Sequence, residues 1–520
     1  MQLNGAGRLT SPVAEATTAR KQPRLSAGRG LNAWLALLAA LLGGLALSAA
    51  FPPLGIWPLA AVGPALLVLA LWRQRLRMAC AAGAVFGLAF FLPLFSWVVN
   101  VAWYAWAALS VAEAVVFAAL AAGQWLLLRL RGWPLAVAAW WVAAEAVRSR
   151  WPWGFPWGRV VMSQASAPTV GWVSIGGPAF LTFLLALCGA CLAWLAIGVF
   201  GYLAAAGPDR KRASLLWPTV AAAVVIAAAV SGAFIPAGQG SPGQARAGQQ
   251  TAVVAAVQGN VPHTKSLPSL LRQTTVTQNH AAATLRLAAR VRSGAVPPPD
   301  VVIWPENSTD QDPSLNPYIY SVISTAVGTI NRPVLVGAVL QHPVRNAGQL
   351  WLPGRGPVAT YVKRKLVPFG EVIPLRGLLA QVTSLPSLQP VNFTPGHRAV
   401  VFHIGKIRLG DVICYEIGFD GLVSSEVSAG ANLLTVQTND ADFELDGQTG
   451  ETLQQLAMAR IRAVEYDRAV VVASTTGISA IIAPDGSLLA STHTWQQAEI
   501  EARVPLLSTT TLAQRLGGWP

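Results

Sequence analysis

The stretch that decides the fold in the second half of this chain is Gly410-Asp411-Val412-Ile413-Cys414-Tyr415-Glu416. Its β-branched residues predict a strand that ends at Cys414. Two further motifs lie upstream, each at the end of a strand-like run: Trp304-Pro305-Glu306-Asn307 and Tyr361-Val362-Lys363. A glutamate, a lysine and a cysteine that each follow a strand can together form a thiol-nucleophile active site.

Strand-like and helical segments alternate on both sides of these motifs. We predict helices at 270–292 and 451–467, a hairpin turning at 484–486, and strands at 251–257, 300–304, 333–340, 358–362, 399–403, 407–414, 433–437 and 469–474. The alternation indicates an α/β or layered α-β-β-α domain at 251–505. A Gly/Ser/Gln-rich linker at 237–250 precedes this domain, and residues 506–520 form a C-terminal tail.

The first half has the composition of a membrane protein. Hydrophobic residues make up 53% of the 520-residue chain and charged residues 12%, and no charged residue lies between Arg29 and Arg73. A membrane helix needs about 20 apolar residues. We therefore predict a transmembrane bundle at 31–236 with seven helices, at about 33–50, 57–72, 79–99, 105–128, 133–147, 171–199 and 214–235. Residues 1–30 are rich in Ser, Thr and Arg, which predicts a disordered cytoplasmic N-terminus.

The distribution of positive charge predicts the orientation of the bundle. Clusters of Arg and Lys precede the first predicted helix and follow the second, fourth and sixth. By the positive-inside rule these segments are cytoplasmic, so the chain after residue 236 lies on the outer face of the membrane. Arg148, Arg150 and Arg159 are exceptions to this count. Because much of the net charge of +14 is explained as a topology signal, we expect no nucleic-acid partner.

The three strand-end residues are suited to attack on a carbonyl. Glu306 can accept the proton of the Cys414 thiol, and its apolar flank Trp304-Pro305 should raise the pKa of the carboxyl. Lys363 can offer an ammonium group to the oxyanion that forms when a thiolate attacks a carbonyl. A Cys–His pair remains open, because histidines lie in this half of the chain, among them His263, His280 and His403.

Taken together, the motifs resemble those of the nitrilase superfamily and, within it, of the bacterial apolipoprotein N-acyltransferases, in which a membrane bundle precedes the nitrilase domain. The stretches that carry the resemblance are Trp304-Pro305-Glu306, Tyr361 to Glu371, Cys414-Tyr415-Glu416, Gln258-Gly259-Asn260-Val261-Pro262 and Phe155-Pro156-Trp157-Gly158. The resemblance implies a multi-span α-helical membrane bundle followed by an α/β nitrilase-like α-β-β-α sandwich. In this family an eighth span closes the bundle, and it would begin near the end of this chain.

The resemblance also implies roles for individual residues. Glu306 would be the general base, Lys363 the stabiliser of the oxyanion and Cys414 the acyl acceptor. Five further residues would support the site or contact the substrate: Glu371, Tyr415, Glu416, Phe155 and Trp157. No metal and no cofactor is implied.

The activity implied by the resemblance is lipoprotein maturation. A fatty acyl chain would pass from a membrane phospholipid, through a cysteine thioester, to the N-terminal amine of the diacylglyceryl-cysteine of an apolipoprotein. The enzyme would be a monomer in the cell membrane, with its catalytic domain on the extracytoplasmic face. Two alternatives stay open: a membrane-anchored nitrilase-type amidase that hydrolyses C–N bonds with the same three residues, and a transporter or non-catalytic scaffold.

Overall fold

The computed structural model describes residues 31–204, 215–236, 249–262, 269–382, 391–441, 443 and 447–517. Several expectations lie outside these residues, namely those for the N-terminus at 1–30, for all but the last two residues of the linker and for the last three residues of the tail. His263 also lies outside them.

Seven apolar helices make up the described part of the bundle. They are α1 (Ala33–Ala50), α2 (Leu59–Leu71), α3 (Leu76–Leu94), α4 (Trp103–Leu127), α5 (Trp133–Arg148), α6 (Val173–Ala204) and α7 (Leu216–Val230). Five segments are long and apolar enough to cross a membrane, whereas α2 has 13 residues and α5 has 16. The seven predicted spans therefore correspond to seven helices, five of which have spanning length.

Small residues bring the bundle helices close together. A Cβ atom at Gly44 of α1 would lie 2.3 Å from the carbonyl oxygen of Phe86 in α3. Such close approach favours helix association in lipid, where the hydrophobic effect adds little and dispersion contacts dominate. Aromatic rings then fill the space between α3, α4 and α5, with Phe86, Phe117 and Trp141 in mutual contact.

The second half contains two six-stranded sheets. The first has the order β12-β1-β2-β3-β4-β5 and the second the order β11-β10-β9-β8-β7-β6. The strands of the first sheet are β1 (Thr251–Gln258), β2 (Val301–Ile303), β3 (Val334–Leu340), β4 (Arg345–Leu352), β5 (Gly356–Val362) and β12 (Ala498–Pro505). Those of the second are β6 (Val401–Ile404), β7 (Ile407–Ile413), β8 (Leu433–Thr438), β9 (Val470–Ser474), β10 (Ala480–Ile482) and β11 (Leu488–Ser491). The central pairs β1–β2–β3 and β7–β8–β9 are parallel, so their carboxyl ends meet at one edge of each sheet.

Helices cover both outer faces of the paired sheets. The helices of this half are α8 (Ser269–Arg292), α9 (Pro317–Ile330), α10 (Arg376–Val382), α11 (Asp420–Ser428), α12 (Gly450–Tyr466) and α13 (Leu512–Leu516). Of these, α8 and α9 pack on the first sheet, and α11 and α12 pack on the second. One apolar core lies between the first sheet and α8 and α9, with Leu287 and Ile323 in it. A second core lies between the two sheets and includes Val254 and Ile413. This arrangement is the predicted α-β-β-α sandwich.

The second sheet does not end at its own helix layer. Its outer face and α12 share one apolar core with the membrane bundle, in which Tyr415 and Met458 pack in the same cluster as Phe90, Trp157 and Val161. Hydrophobic burial of this kind is roughly proportional to the area removed from water. The bundle and the α/β half are therefore joined through a common core.

Among the elements absent from the sequence-based prediction are helices α9, α10 and α11 and strands β4 and β12. Helix α9 is rich in β-branched residues, which favour strands in isolation. Strands β4 and β12 are interrupted by polar and charged residues, and so neither has a continuous apolar run. Both are nevertheless fixed by long antiparallel ladders, β4 to β3 and β5 and β12 to β1.

Candidate active site

Cys414 follows the last residue of β7 and begins a short 3-10 turn, Cys414–Gly418. Its φ of +52° lies in the left-handed region, which a side chain with a Cβ rarely adopts. Residue Cys414 is 7% exposed, and Thr438 Oγ1 and Gln455 Nε2 lie 3.4 and 3.6 Å from its sulfur. Strained backbone held in place by surrounding contacts is common where a side chain must be presented for chemistry.

A buried cluster of charges lies at the ends of the first-sheet strands. Lys363, directly after β5, donates from Nζ to Oε1 of Glu306 at 2.8 Å and to Oε1 of Glu371 at 2.9 Å. Asn346 of β4 donates to the same two carboxylate oxygens at 2.6 and 2.8 Å. Two carboxylates thus share one ammonium and one amide, which compensates most of the cost of burying them.

The end of β8 connects this charge cluster to the thiol. The Thr438 hydroxyl contacts Cys414 Sγ, and the backbone N–H of the next residue, Asn439, donates to Oε2 of Glu306 at 3.0 Å. Parallel strands place such residues at the same edge of a sheet. The structure therefore brings Glu306, Lys363 and Cys414 together, although Lys363 and Cys414 belong to different sheets.

Burial and the neighbouring charges shift the pKa values of Cys414, Glu306 and Lys363. Burial raises the pKa of Cys414 well above its usual value, the charge of Glu306 raises it further, and Lys363 only partly opposes them. Burial also raises the pKa of Glu306, against the opposing effect of Lys363. For Lys363 burial alone would lower the pKa, but Glu306 and Glu371 raise it well above its usual value. All three pKa values are thus raised, which favours the protonated form of each group.

Glu416 links the turn Cys414–Gly418 to the loop that begins at Lys363. Its buried carboxylate accepts hydrogen bonds from the backbone N–H groups of Ile413, Arg364 and Lys365 at 2.9, 2.6 and 3.0 Å. It also accepts one from the Tyr361 hydroxyl at 2.8 Å. One side chain therefore sets the position of Cys414 relative to the loop that carries Lys363.

Tyr415, Phe155 and Trp157 form an aromatic stack between the turn and the bundle. The rings of Tyr415 and Trp157 are nearly parallel, with centroids 6.1 Å apart, and Phe155 lies 6.1 Å from Tyr415. The Tyr415 hydroxyl donates to the carbonyl of Gly154 at 2.7 Å. All five residues predicted to support the site, Glu371, Tyr415, Glu416, Phe155 and Trp157, thus contact the three central residues or their immediate neighbours.

Other side chains that might have served the same chemistry lie elsewhere. Lys365 donates to the carbonyl of Trp153 at 2.8 Å, outside the carboxylate cluster. His280 packs on Trp304 on the outer side of the first sheet, where burial lowers its pKa to about 4. His403 is exposed on the edge strand β6. Neither of these two histidines forms a pair with Cys414.

Sequence reasoning missed Asn346 and Gln455. Asn346 lies in a polar strand without a motif, so only its sheet neighbours reveal that it bridges Glu306 and Glu371. Gln455 lies on α12 as one of several buried polar residues, and its contact with Cys414 depends on how that helix packs. Among the described residues there is no group of three or more His, Cys, Asp or Glu side chains placed to hold a metal ion.

Comparison with known proteins assigns the two halves separately. A family profile for the apolipoprotein N-acyltransferase N-terminal domain matches residues 43–191, and a carbon-nitrogen hydrolase profile matches residues 324–514. The second match covers Lys363 and Cys414 and supports the nitrilase-like fold. The predicted fold class, a membrane bundle followed by this α/β domain, is confirmed.

Relatives that match 94% of this chain are named apolipoprotein N-acyltransferase. The chain is 38% identical over 512 residues to the apolipoprotein N-acyltransferase of Mycolicibacterium smegmatis, covering 94% of this chain and 83% of that protein. It is 30% identical over 515 residues to the apolipoprotein N-acyltransferase of Azotobacter vinelandii, covering 94% and 92%. A solved amidase from Nesterenkonia sp. is 17% identical, covering 51% of this chain and 94% of the amidase, with a TM-score of 0.37. The resemblance seen in the motifs is confirmed: the chain is an acyltransferase that belongs to the apolipoprotein N-acyltransferase family.

Proposed function

We propose that this enzyme transfers a fatty acyl chain from a membrane phospholipid to the N-terminal amine of a diacylglyceryl-cysteine on an apolipoprotein, through a thioester on Cys414. The observation that carries the proposal is the position of the thiol. Cys414 begins a turn whose next residue, Tyr415, packs into the apolar core of the membrane bundle. A nucleophile against an apolar bundle is suited to an acyl donor that resides in the membrane.

In the first half-reaction the Cys414 thiol loses its proton to Glu306 as the sulfur attacks an ester carbonyl of the phospholipid. Lys363, which lies between two carboxylates, stabilises the oxyanion, which gains charge only as the bond forms. The C–O bond of the ester then breaks, and Glu306 returns the proton to the leaving glycerol oxygen. A lysophospholipid departs and the acyl chain remains on Sγ as a thioester.

In the second half-reaction the free α-amine of the acceptor attacks the thioester carbonyl. Glu306 takes a proton from the attacking nitrogen, Lys363 again supports the oxyanion, and the C–S bond breaks. The sulfur regains its proton from Glu306, which restores the neutral thiol favoured by the buried site. Atoms and protons balance over the cycle, and ping-pong kinetics are expected.

The catalytic half is proposed to face the extracytoplasmic side, where an acceptor with a free N-terminal cysteine amine would meet it. The support is the distribution of positive charge around the bundle helices. We propose that the enzyme works as a monomer in the cell membrane and needs no cofactor, because the general base, the cation and the nucleophile all come from this chain.

The test follows an acyl label through both half-reactions. Purified full-length protein is incubated with a phospholipid carrying a radiolabelled acyl chain, and label is expected on the protein in a hydroxylamine-sensitive bond. A diacylated lipopeptide with a free N-terminal amine is then expected to remove the label as an N-acylated product. Equal labelling of wild type and Cys414→Ala would overturn the proposal.

The same assay separates the amidase alternative. Ammonia released from simple amides, with no label transferred from phospholipid, would favour hydrolysis of C–N bonds. Label that reaches the protein but never the lipopeptide would show a thioester enzyme with a different acceptor, and would overturn the acceptor part of the proposal.

A further inference from the structure

The loop Gly154–Trp157 lies between the membrane bundle and the turn Cys414–Gly418, called here the nucleophile turn, and contacts both. On the side of the bundle it is held by Arg148, the last residue of α5. Arg148 Nη1 donates to the carbonyl of Trp157 at 2.6 Å and to that of Phe155 at 3.1 Å. The loop is therefore anchored through its backbone, whatever its side chains contact.

Arg148 is itself held by an acid from a second bundle helix. Its Nη1 lies 3.3 Å from Oε2 of Glu113 in α4, and the two side chains are 3% and 7% exposed. Charges inside an apolar bundle are costly and persist only where they are paired or have a function. Here one guanidinium joins α4 and α5 to two carbonyls of a loop that has no regular secondary structure.

On its other side the same loop contacts the nucleophile turn at two points and helix α12 at a third. Gly154 accepts a hydrogen bond from the Tyr415 hydroxyl, as described above. Pro156 packs so closely on the end of the turn that a Cβ at Gly418 would lie 2.6 Å from its Cγ. The Trp157 indole donates to Gln454 Oε1 at 3.1 Å, and Gln454 precedes the glutamine that reaches the Cys414 sulfur.

We propose that Arg148 is a positioning residue for the transfer reaction: paired with Glu113, it fixes the loop Gly154–Trp157 and through that loop the Cys414 turn. The bundle then acts as part of the catalytic framework as well as the membrane anchor. This inference deepens the proposed thioester mechanism and rests on it.

The physical reason is the left-handed backbone at Cys414. A residue held at φ of +52° relaxes when its surroundings loosen, because that conformation is disfavoured by local sterics. Neither Glu306 nor Lys363 contacts Arg148, so loosening the loop acts first on the turn that carries the Cys414 sulfur. A displacement of about 1 Å between reacting groups can cost about 100-fold in rate.

The experiment measures single-turnover labelling of Cys414 in full-length protein in dodecyl maltoside, with phosphatidylglycerol carrying a radiolabelled palmitoyl chain. Wild type must be labelled and Cys414→Ala must not, since otherwise the proposed function fails before the inference is tested. For Arg148→Ala we expect the maximal labelling rate per folded molecule to fall about 100-fold. The half-saturating phospholipid concentration should change little, because the residue does not touch the donor.

Two conservative variants distinguish positioning from a role in folding alone. Arg148→Lys keeps a cationic donor and should regain part of the lost rate, and Glu113→Gln should lose less than Arg148→Ala in the same direction. Arg129→Ala is the matched control, because Arg129 is another bundle arginine that stacks on Trp125 and does not touch the loop. Melting temperature and size-exclusion profile give the folded fraction of each variant.

A folded Arg148→Ala protein that labels Cys414 at the wild-type rate would overturn the inference. The inference would also be overturned if Arg148→Ala only reduced the amount of folded protein and each folded molecule still labelled at the wild-type rate. Such a result would show an effect on stability and none on positioning. If Arg148→Ala does not fold, wild-type labelling rates in both Arg148→Lys and Glu113→Gln would overturn it equally.

Discussion

Lys363 lies between two carboxylates, and this position gives it two tasks. It forms ion pairs with Glu306 and Glu371 in a buried site, and in the proposed mechanism it stabilises the oxyanion. In Lys363→Ala we expect turnover to fall about 100- to 1000-fold with little change in KM, because an oxyanion donor acts in the transition state. The melting temperature should also fall, since two facing carboxylates lose their shared counter-ion.

The matched control for this prediction is Lys365→Ala. Lys365 lies two residues further along the same loop and donates to a loop carbonyl instead of to the carboxylates. It should keep most of the turnover. Loss of acyl transfer in Lys365→Ala together with near-normal turnover in Lys363→Ala would contradict the assignment of the lysine.

The resting thiol gives a second prediction, in which reactivity and turnover move in opposite directions. After burial, the largest effect that raises the pKa of Cys414 is the charge of Glu306. Removing that charge in Glu306→Gln should lower the pKa of the thiol, so alkylation by iodoacetamide at pH 8 should become faster than in wild type. Acyl transfer should nevertheless be lost, because the base is gone.

Alkylation rates measured between pH 6 and 10 would check this prediction. Glu499→Gln serves as the control, because Glu499 pairs with Arg286 and Arg290 at the edge of the first sheet, far from the thiol. Unchanged or slower alkylation in Glu306→Gln would show that the carboxylate does not govern the thiol.

The turn that follows β7 depends on one acceptor, Glu416. Both of its oxygens accept two hydrogen bonds, and three of the four donors are backbone N–H groups. In Glu416→Gln an NH2 group replaces one of the two oxygens and faces two hydrogen-bond donors. Those donors lose their acceptor, at a cost of about 1–3 kcal/mol each. We expect a lower melting temperature, and a turnover reduced by about 100-fold as Cys414 shifts against Lys363.

Calorimetry and single-turnover labelling on the same preparation would check the prediction for Glu416. A variant that labels normally and melts at the wild-type temperature would mean that the turn holds its geometry without this acceptor. Tyr361→Phe removes only one of the four donors and should therefore have a much smaller effect.

How far the sequence predicts an element depends on how local its determinants are. Strand β7 and helix α12 were predicted because their apolar periodicity follows from their own residues, and the ends of β2, β5 and β7 located Glu306, Lys363 and Cys414. Strand β4 is fixed by its partners on both sides and supplies Asn346, so neither the strand nor its residue was predicted. Contacts such as that between Gln455 and Cys414 depend on packing between elements and leave no local pattern.

Two arginines that did not fit the charge count of the bundle have a structural explanation. Arg148 pairs with Glu113, and Arg159 pairs with Asp420 at the base of α11. Both side chains are buried, so they are held by acids within the protein and do not belong to the set of loop charges that the positive-inside rule counts. Arg150 alone of the three exceptions is exposed.

At the scale of the whole molecule, Asp420 joins the two halves. Both its oxygens accept from Arg159 of the bundle side, at 2.7 and 2.9 Å, and Arg462 of α12 donates at 2.5 Å. Burial alone would raise the pKa of Asp420, but the two guanidinium groups hold it well below its usual value. Its stabilising effect is therefore fully present above the ordinary carboxyl range and is lost as pH falls through the lowered pKa.

Asp420→Asn should therefore destabilise the protein at neutral pH. Breaking a buried ion pair costs about 3–5 kcal/mol. Because 29% of the Asp420 side chain is exposed, we expect the free energy of unfolding to fall by about 2–3 kcal/mol. The difference in melting temperature between the variant and the wild type should narrow as pH falls below 4. Thermal melts at pH 7, 5 and 3 check this, and a gap that widens toward pH 3 would contradict it.

The pairing of β1 with β12 has a consequence for how the protein is made. Thr251 pairs with Pro505 and Gln258 with Ala498. The first strand of the catalytic half therefore has no partner on this side until the last strand has been synthesised. At about 5–20 residues per second, synthesis of the intervening chain takes on the order of tens of seconds. Through this interval the growing catalytic half carries an open sheet edge, a known template for aggregation. The bundle, which is finished first, shares its apolar core with the second sheet, so the edge of the first sheet is closed only when β12 has been made.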